Sequence, residues 1–406
     1  MTSTPSPFLS IEEGIQHFRD GRLLILVDDE DRENEGDLIV AAEHVTPDII
    51  NFMITNGRGL VCMPIASSIA AQLSLPMMVR ENRSREGTPF MVSIGSAKGI
   101  TTGISPADRA HTVRTACAVN ATPADIVSPG HIFPLCAKEA GVLKRRGHTE
   151  GCVDLAKLAG LRPAATLCEI IKPNGEMARL PYLEKFAQQH NIGLVTIDQL
   201  VKYRMKTEVL LQEEASAKLP LHHLGELTLK MFVDNVTHQQ FVVLHANEIK
   251  KPPVVRIHSE CFTGDLLGSM RCDCRSQLHT ALHRVHDEKG ILLYMPQEGR
   301  GIGLLNKIKA YALQDQGMDT VEANHELGLP SDSRDYAWCA QILKKLEVES
   351  VRLLTNNPLK IEGLEKYGIE VLERIPLEIP ANEYNEKYLQ TKRDKLGHFL
   401  NISKRE

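Results

Sequence analysis

Between residues 206 and 226 the chain changes texture. KTEVLLQEEASAKLPLHHLGE is polar, charged and weakly patterned, and it separates two long blocks in which short apolar runs alternate with amphipathic ones. It reads as a linker or connecting helix. A chain of 406 residues has room for two or more domains. Alternation on both sides of such a stretch points to two mixed α/β (α+β) domains of similar size, residues 1–205 and 206–406. No fixed-period repeat is visible.

In the first block Ile11, Ile15 and Phe18 recur at helical spacing, and Gly21 is placed to end that helix. LLILV (23–27), GLVCMPI (59–65) and AATLCEII (164–171) have the look of buried strands. Thr46-Pro47 suits the N-cap and first position of a helix. FAQQHNIGLVTIDQLVKYRM predicts helix, strand, helix. The second block opens with β-like LTLKMFVD and QQFVVLHA, then alternates: GILLYMP strand, LLNKIKAYALQDQG helix, VRLLTNNP strand and loop, GIEVLERI strand.

The 42% apolar and 24% charged residues are the balance of a soluble globular protein. A net charge of −5 gives no global basic field for nucleic acid. No apolar run approaches a membrane span, and MTSTPSPFLS lacks the basic flank and apolar core of a signal peptide. Nine scattered cysteines do not read as a disulfide framework. A cytoplasmic protein with reduced thiols is expected, with neither nucleic acid nor membrane as partner.

The first block's sharpest feature is DDEDRENEGD (28–37), in which seven of ten residues are acidic directly after a strand. Hard oxygen ligands so gathered suit Mg²⁺ or Mn²⁺, although the charge density is equally that of a solvated turn. Arg32 among carboxylates would face an anionic group. TTGISPADRAHT could offer donors to a phosphate or be a capped turn before a helix. His131 and His148 each follow a glycine in loop-like context, individually weak signals.

Together DDEDRENEGDLI, TTGIS-ADRA-T, PGHIFPL and GHTE-VDLA-LAGL-P resemble the 3,4-dihydroxy-2-butanone-4-phosphate synthase family over about residues 8 to 203. The resemblance implies conversion of ribulose 5-phosphate to a four-carbon ketone phosphate and formate. It places a Mg²⁺ or Mn²⁺ on Glu33 and His148. Arg32, Glu33, Asp37, Arg145, Arg146, Gly147, His148, Thr149 and Glu169 would bind substrate, with His131 and Glu169 essential to the chemistry. It also implies a homodimer sharing its site across the interface. The sequence departs from the pattern at Cys136, Ala140 and Arg146 and in TPFMVSIG (88–95).

In the second block Cys261, Cys272 and Cys274 stand as C-x10-C-x-C, with no fourth Cys or His at a matching interval. In an extended segment Cys272 and Cys274 would face one side, and Gly264 and Gly268 let Cys261 return to them. Three soft ligands leave a fourth position for water, the catalytic rather than structural zinc arrangement. The spacing alone leaves core thiols and a metal site both open. YMPQEGRGIGLLNK brings glycines 299, 301 and 303 to a helix start, suited to an anion, and its G-x-G-x-G spacing is neither a Rossmann fingerprint nor a P-loop. SDSRDY and LLTNNPLK add polar contacts or are ordinary turns.

RIHSECFTGD, RCDC, QEGRGIGL-NK, AY-LQD, D-RDY and LLTNNP-K, in this order, resemble GTP cyclohydrolase II over about residues 208 to 400, and the terminal YLQTKRDKLGHFL resembles that family's tail. The resemblance implies opening of the guanine imidazole ring with release of formate and diphosphate. It puts Zn²⁺ on Cys261, Cys272 and Cys274, and GTP against Arg256, Ile257, His258, Ser259, Glu260, Gln277, Glu298, Gly299, Arg300, Thr320, Thr355 and Lys360. Asp332 resembles the proton acceptor and Arg334 the nucleophile at the α-phosphate. Tyr311 assists, and Mg²⁺ accompanies the triphosphate. Arg275 stands where Gly is frequent. A fused, bifunctional enzyme of riboflavin biosynthesis is therefore expected. The alternatives are a silent, dimerising first half and a second half that only senses nucleotide.

Overall fold

Two seven-stranded sheets organise the chain, one on each side of a division between Arg204 and Met205. The computed structural model describes residues 6–30 and 32–400. The first five residues of the N-terminal stretch, Asp31 of the acidic run and residues 401–406 lie outside the described residues. Among the described residues no helix is long and apolar enough to cross a membrane.

The strands of the first unit are β1 (Leu24–Val27), β2 (Gly36–Ala41), β3 (Cys62–Ile65), β4 (Ile94–Ser96), β5 (Ile126–Cys136), β6 (Ala165–Glu169) and β7 (Gly193–Thr196). They lie in the order β4-β5-β3-β6-β2-β1-β7. Every residue of β1 and β2 is buried, which is why LLILV is apolar throughout rather than alternating. Ile25, Leu38, Val40, Met63, Ile94 and Val113 belong to one continuous core. The helix His148–Leu158 packs against β1, β2, β3 and β6, and its residues His148 to Ala156 are all buried. Helix Ile11–Arg19 is held by a Ser10–Glu13 capping box and buries Ile11, Ile15 and Phe18, as their spacing predicts. Thr46 caps helix Pro47–Phe52 by accepting from Ile49 N.

The second unit contains β8 (Leu211–Leu221), β9 (Gly225–Asp234), β10 (Gln240–His245), β11 (Val254–Ser259), β12 (Ile291–Met295), β13 (Ser350–Leu354) and β14 (Glu370–Ile375). Neighbours β8, β9, β10 and β12 pair antiparallel, while β12, β11, β13 and β14 pair parallel. In parallel α/β sheets the crevice beyond the strands' carboxyl ends collects ligands. Here the ends of β11, β12 and β13 deliver Ser259 to Cys261, Gln297 to Arg300, and Thr355 to Lys360 to one cavity.

The polar stretch after residue 206 is not a linker or helix. Helix Ile197–Thr207 runs into it, and β8 occupies its centre, pairing with β9 from Leu211↔Asp234 to Leu221↔Gly225. Most of β8 is exposed. A strand wet on both faces carries no period-two signal, because its stability comes from backbone pairing rather than from burying alternate side chains.

The loop from β5 to helix His148–Leu158 contains Ala140 at φ +37°, a left-handed conformation that costs an L-residue about 1–2 kcal/mol. Its carbonyl accepts from Arg204 Nη1 at 2.7 Å. Ala140→Gly is expected to stabilise the first unit by about 1 kcal/mol, read as a higher denaturant midpoint. An unchanged or lower midpoint would contradict strain at this turn.

Candidate active sites

The first site forms where β1 ends, β2 begins, β6 ends and the helix His148–Leu158 starts. Asp28 folds the acidic loop back on itself: its carboxylate accepts from Glu33 N (3.0 Å), Glu35 N (2.8 Å) and Arg32 Nη1 (2.9 Å). Arg32 also grips Glu33 through both terminal nitrogens, at 2.7 and 3.1 Å. The pairing of β2 with β6 sets Asp37 opposite Glu169. Leu60 N donates to Glu169 Oε2 at 2.8 Å. This contact requires Gly59, whose Cβ would stand 2.4 Å from that oxygen.

His148, read from sequence as a loop residue, is the first residue of its helix, with Gly147 as N-cap. Its Nδ1 lies 3.4 Å from Glu33 Oε2 and 3.8 Å from Asp37 Oδ2. The interaction with His148, reinforced by Arg32 against the opposing effect of burial, holds the Glu33 carboxyl down to about 2. Burial works against charge on His148, but Asp37 and Glu33 push it up to about 9. Burial pushes Asp37 up to about 7, with Glu169 and Glu33 adding to it and His148 opposing. His148 Nε2 and Asp37 Oδ1 are buried without a hydrogen-bond partner. A cation between Glu33 and His148 would take the place of the proton on Nδ1, the nitrogen that faces both carboxylates, so the donor set fits a divalent ion. Asp28 also lies within reach of Glu33 and His148, but its oxygens are spent on the loop.

The cleft is lined by Arg32, Glu33, Asp37, Arg145, His148, Thr149 and Glu169 among the residues singled out from sequence, and by Glu35, Cys62, Thr88 and Phe90 besides. Arg146 and Gly147 are not in the lining. Arg146 is half exposed, 3.8 Å from Asp29, so it does not crowd the site. His131 is exposed on β5 beside Gly103, away from the cleft. The TTGIS loop is a capped turn: Thr101 and Gly103 donate to Asp108, and Ser105 caps helix Pro106–Cys117.

In the second unit three thiols converge. Cys261 and Cys272 Sγ are 3.8 Å apart, and the three sulfurs lie within 4.8 Å of one another. The edge of a tetrahedron with zinc–sulfur bonds of about 2.3 Å is about 3.8 Å. Convergence does not come from an extended segment: Cys272 lies in a turn and Cys274 opens helix Cys274–Asp287, where the helix N-terminus favours thiolate. Gly264 makes the approach possible, since a Cβ there would stand 2.7 Å from Cys272 Sγ and 3.0 Å from Cys261 Sγ. Hydrogen bonds from Cys272 and Cys274, with the Lys307 ammonium 3.1 Å away, pull Cys261 far below the usual thiol range. Cys261 beside it pushes Cys272 up to about 11. Thiolate character is thus drawn toward Cys261, and a soft dication would displace thiol protons.

These sulfurs form one wall of a cavity whose other walls are cationic. Arg256, Arg300, Lys307, Arg334, Lys360 and Lys392 all line it. Arg256 donates to Leu354 O (3.0 Å) and Gln277 Oε1 (2.6 Å), and burial lowers its guanidinium to about 10. Lys360 donates to Ile257 O at 2.8 Å, and burial takes it well below the usual lysine range. Arg300 sits in a left-handed turn at φ +64°, its Nη1 and Nη2 buried without a hydrogen-bond partner. Burial would raise Asp332, but Arg334, bonded through Nε at 2.9 Å and through Nη2, holds its carboxyl below the usual range.

His258, Ser259, Glu260, Gln277, Glu298, Gly299, Thr320 and Thr355 also reach the cavity. Ile257 is fully buried and contributes only its carbonyl, and Asp332 stands behind Arg334 rather than in the lining. Arg275 lies against Gly268, outside the cavity. Sequence reasoning missed Asp265, which accepts from Tyr294 Oη and Cys261 N at 3.0 Å and lies 3.0 Å from His258 Nε2. It missed Lys307 and the pair Tyr388 and Lys392 as well. Lys307 with Tyr311, and Tyr388 with Lys392, are four apart on helices, the spacing that would have found them.

Residues 12–203 match the 3,4-dihydroxy-2-butanone 4-phosphate synthase family and residues 212–376 match GTP cyclohydrolase II. The chain is 52% identical over 398 residues to the riboflavin biosynthesis protein RibBA of Bacillus cereus, covering 97% of this chain and 100% of that protein. The chain belongs to the bifunctional riboflavin biosynthesis proteins. It joins a 3,4-dihydroxy-2-butanone 4-phosphate synthase domain, a lyase, to a GTP cyclohydrolase II domain, a hydrolase. The RibBA protein of Aquifex aeolicus is 51% identical over 399 residues, covering 97% of this chain and 98% of that one. Among solved structures, RibBX, a two-domain 3,4-dihydroxy-2-butanone 4-phosphate synthase from A. baumannii, superposes with a TM-score of 0.68 at 37% identity, over 90% of this chain and 99% of that one.

Gly264→Ala puts a methyl group into the space between the thiols. In this bifunctional protein it is expected to lower metal bound to the second unit by about tenfold or more, measured by elemental analysis of the purified chain. Full metal content in that variant would contradict the converging-thiol geometry.

Proposed function

We propose that the first unit converts ribulose 5-phosphate to 3,4-dihydroxy-2-butanone 4-phosphate and formate, with Mg²⁺ or Mn²⁺ held by Glu33 and His148. The convergence of Glu33 and His148, with Nδ1 3.4 Å from Glu33 Oε2, carries this reading. When bound, the ion supplies charge that acidifies a sugar carbonyl and its neighbouring hydroxyl. Asp37 and Glu169, opposite one another across β2 and β6, are the candidates for moving protons between sugar oxygens and carbons. Arg145 and Thr149 at the helix start suit the phosphate. His131 acts from the partner of a homodimer, a reading supported by its exposure and by a cleft lining in its own chain that does not include it. Nothing favours a silent first half: the replacements at Cys136 and Arg146 lie outside the cleft.

The second unit hydrolyses GTP to 2,5-diamino-6-hydroxy-4-(5-phosphoribosylamino)pyrimidine, formate and diphosphate, with Zn²⁺ on Cys261, Cys272 and Cys274. The single observation behind it is a thiol triad and an unpaired buried guanidinium, Arg300, in one cavity. When bound, zinc supplies the acidity that lets water act as a nucleophile at neutral pH. Arg256, His258 and Gln277 hold the base and ribose against the sulfur wall, while Arg300 and Lys360 hold phosphate. Arg334 stays charged beside Asp332 and neutralises phosphate charge as diphosphate leaves. If it attacks phosphorus, Asp332 is the acceptor already bonded to it. Mg²⁺ accompanies the triphosphate. The free cysteines fit the cytoplasm.

Glu33→Ala is expected to abolish ribulose 5-phosphate turnover by more than about 100-fold, beyond the loss of an outer ligand partner, while GTP opening continues. Cys272→Ser should do the reverse. Loss of both activities in either variant would mean that the residue serves folding. Mixing His131→Ala with Glu33→Ala chains should restore about a quarter of wild-type ribulose 5-phosphate turnover, because half of randomly paired dimers carry one intact shared site. No recovery after verified subunit exchange would place His131 in its own chain's site.

A further inference from the structure

The match to GTP cyclohydrolase II ends at residue 376, yet Tyr388, Lys392 and His398 line the nucleotide cavity. The segment carrying them is fastened to three parts of the site. Lys392 Nζ pairs with Asp273 Oδ1 at 3.0 Å, both side chains being nearly buried, and Asp273 lies between two of the zinc-site cysteines. Lys395 pairs with Asp319 and Glu322 on the helix that carries Thr320. Phe399 N donates to Asn356 O at 2.9 Å, and Arg374 stands over the Phe399 ring.

Tyr388 has a specific neighbour. The Arg300 guanidinium lies 5.9 Å from its ring centroid on one approach, and Lys392 Nζ lies 4.4 Å from it on another. Arg300 projects from a strained left-handed turn and makes no side-chain hydrogen bond among the described residues. No carboxylate hydrogen-bonds this guanidinium among the described residues, Asp332 acting on it only through its charge, and the aromatic ring is the group placed to fix its direction. An acidic partner would fix Arg300 as firmly, but it would also cancel the charge that an anion needs.

We infer that the C-terminal helix Glu386–Asp394 is a wall of the nucleotide site and that Tyr388 is a positioning residue for its phosphates, aiming Arg300 through its ring. This rests on the GTP reading above. It sets affinity for the phosphate chain rather than the ring-opening step.

The test uses the full-length, zinc-loaded chain. Tyr388→Leu is expected to raise KM for GTP about tenfold, the scale of a desolvated cation–π contact, with kcat changed less than about twofold. Tyr388→Phe, which keeps the ring, should recover most of that loss. Calorimetric binding should weaken for GTP and much less for guanosine. The double variant Arg300→Ala/Tyr388→Leu should be no worse than Arg300→Ala alone. Zinc content and ribulose 5-phosphate turnover report folding, and Tyr388→Met, closer in volume, repeats the test if the leucine variant loses zinc. Wild-type KM in the ring-less variants, equal loss for guanosine, or additive effects in the double variant would overturn the inference alone. Absence of GTP binding by the wild type would overturn it together with the GTP reading.

Discussion

Like charges buried beside one another cost several kcal/mol per ion unless something of opposite sign joins them. Both units are built around that cost. In the first, Asp37, Glu33 and Glu169 crowd a single histidine, and Asp37 is pushed up to about 7 while His148 is held up to about 9. In the second, seven lysines and arginines line a cavity in which Arg334 is bonded to its carboxylate and Arg300, among the described residues, is hydrogen-bonded to none. Each imbalance has a sign, and the sign suits a cation in one case and an anion in the other. The thiol triad repeats the pattern on a smaller scale, with three acidic groups pressed together.

Holding such arrangements requires elements that do not relax. In the first unit the carboxylates are set by the register of β2 against β6 and by Asp28, which spends its oxygens on the loop. In the second, three neighbouring parallel strands run side by side, and the loops after them reach one cavity. Glycines enter where bulk would intervene: Gly59 under Glu169 and Gly264 among the sulfurs. In both cases an added methyl group would meet an atom of the candidate site rather than open space.

What sequence reveals here depends on which physical signal a residue carries. β1 and the strand GLVCMPI were legible because burial on both faces demands an apolar run. C-x10-C-x-C was legible as a ligand set, although the geometry inferred for it, an extended segment, was replaced by a turn and a helix start. His148 was legible as a residue but not as a helix position, since Gly147 offers no side-chain cap to announce the start. Ile257 and Asp332 were carried by the motifs around them, and only coordinates separate a carbonyl contribution or a supporting carboxylate from a lining side chain. Tyr388 and Lys392 sit on a polar helix whose role is defined by distant residues, and their four-residue spacing is the only local mark they carry.

β8 was hidden for an instructive reason. It is the outermost strand of its sheet, with one row of backbone groups facing no neighbour, and such an edge is a template on which other chains can stack. Glu213, Glu214, Lys218 and Pro220 lie along it. A smoother, more apolar strand would have been easier to recognise and more prone to recruit copies of itself into fibres. The same composition that disguises the strand as a connector is a solubility device, so the least patterned part of this chain helps to keep it from polymerising.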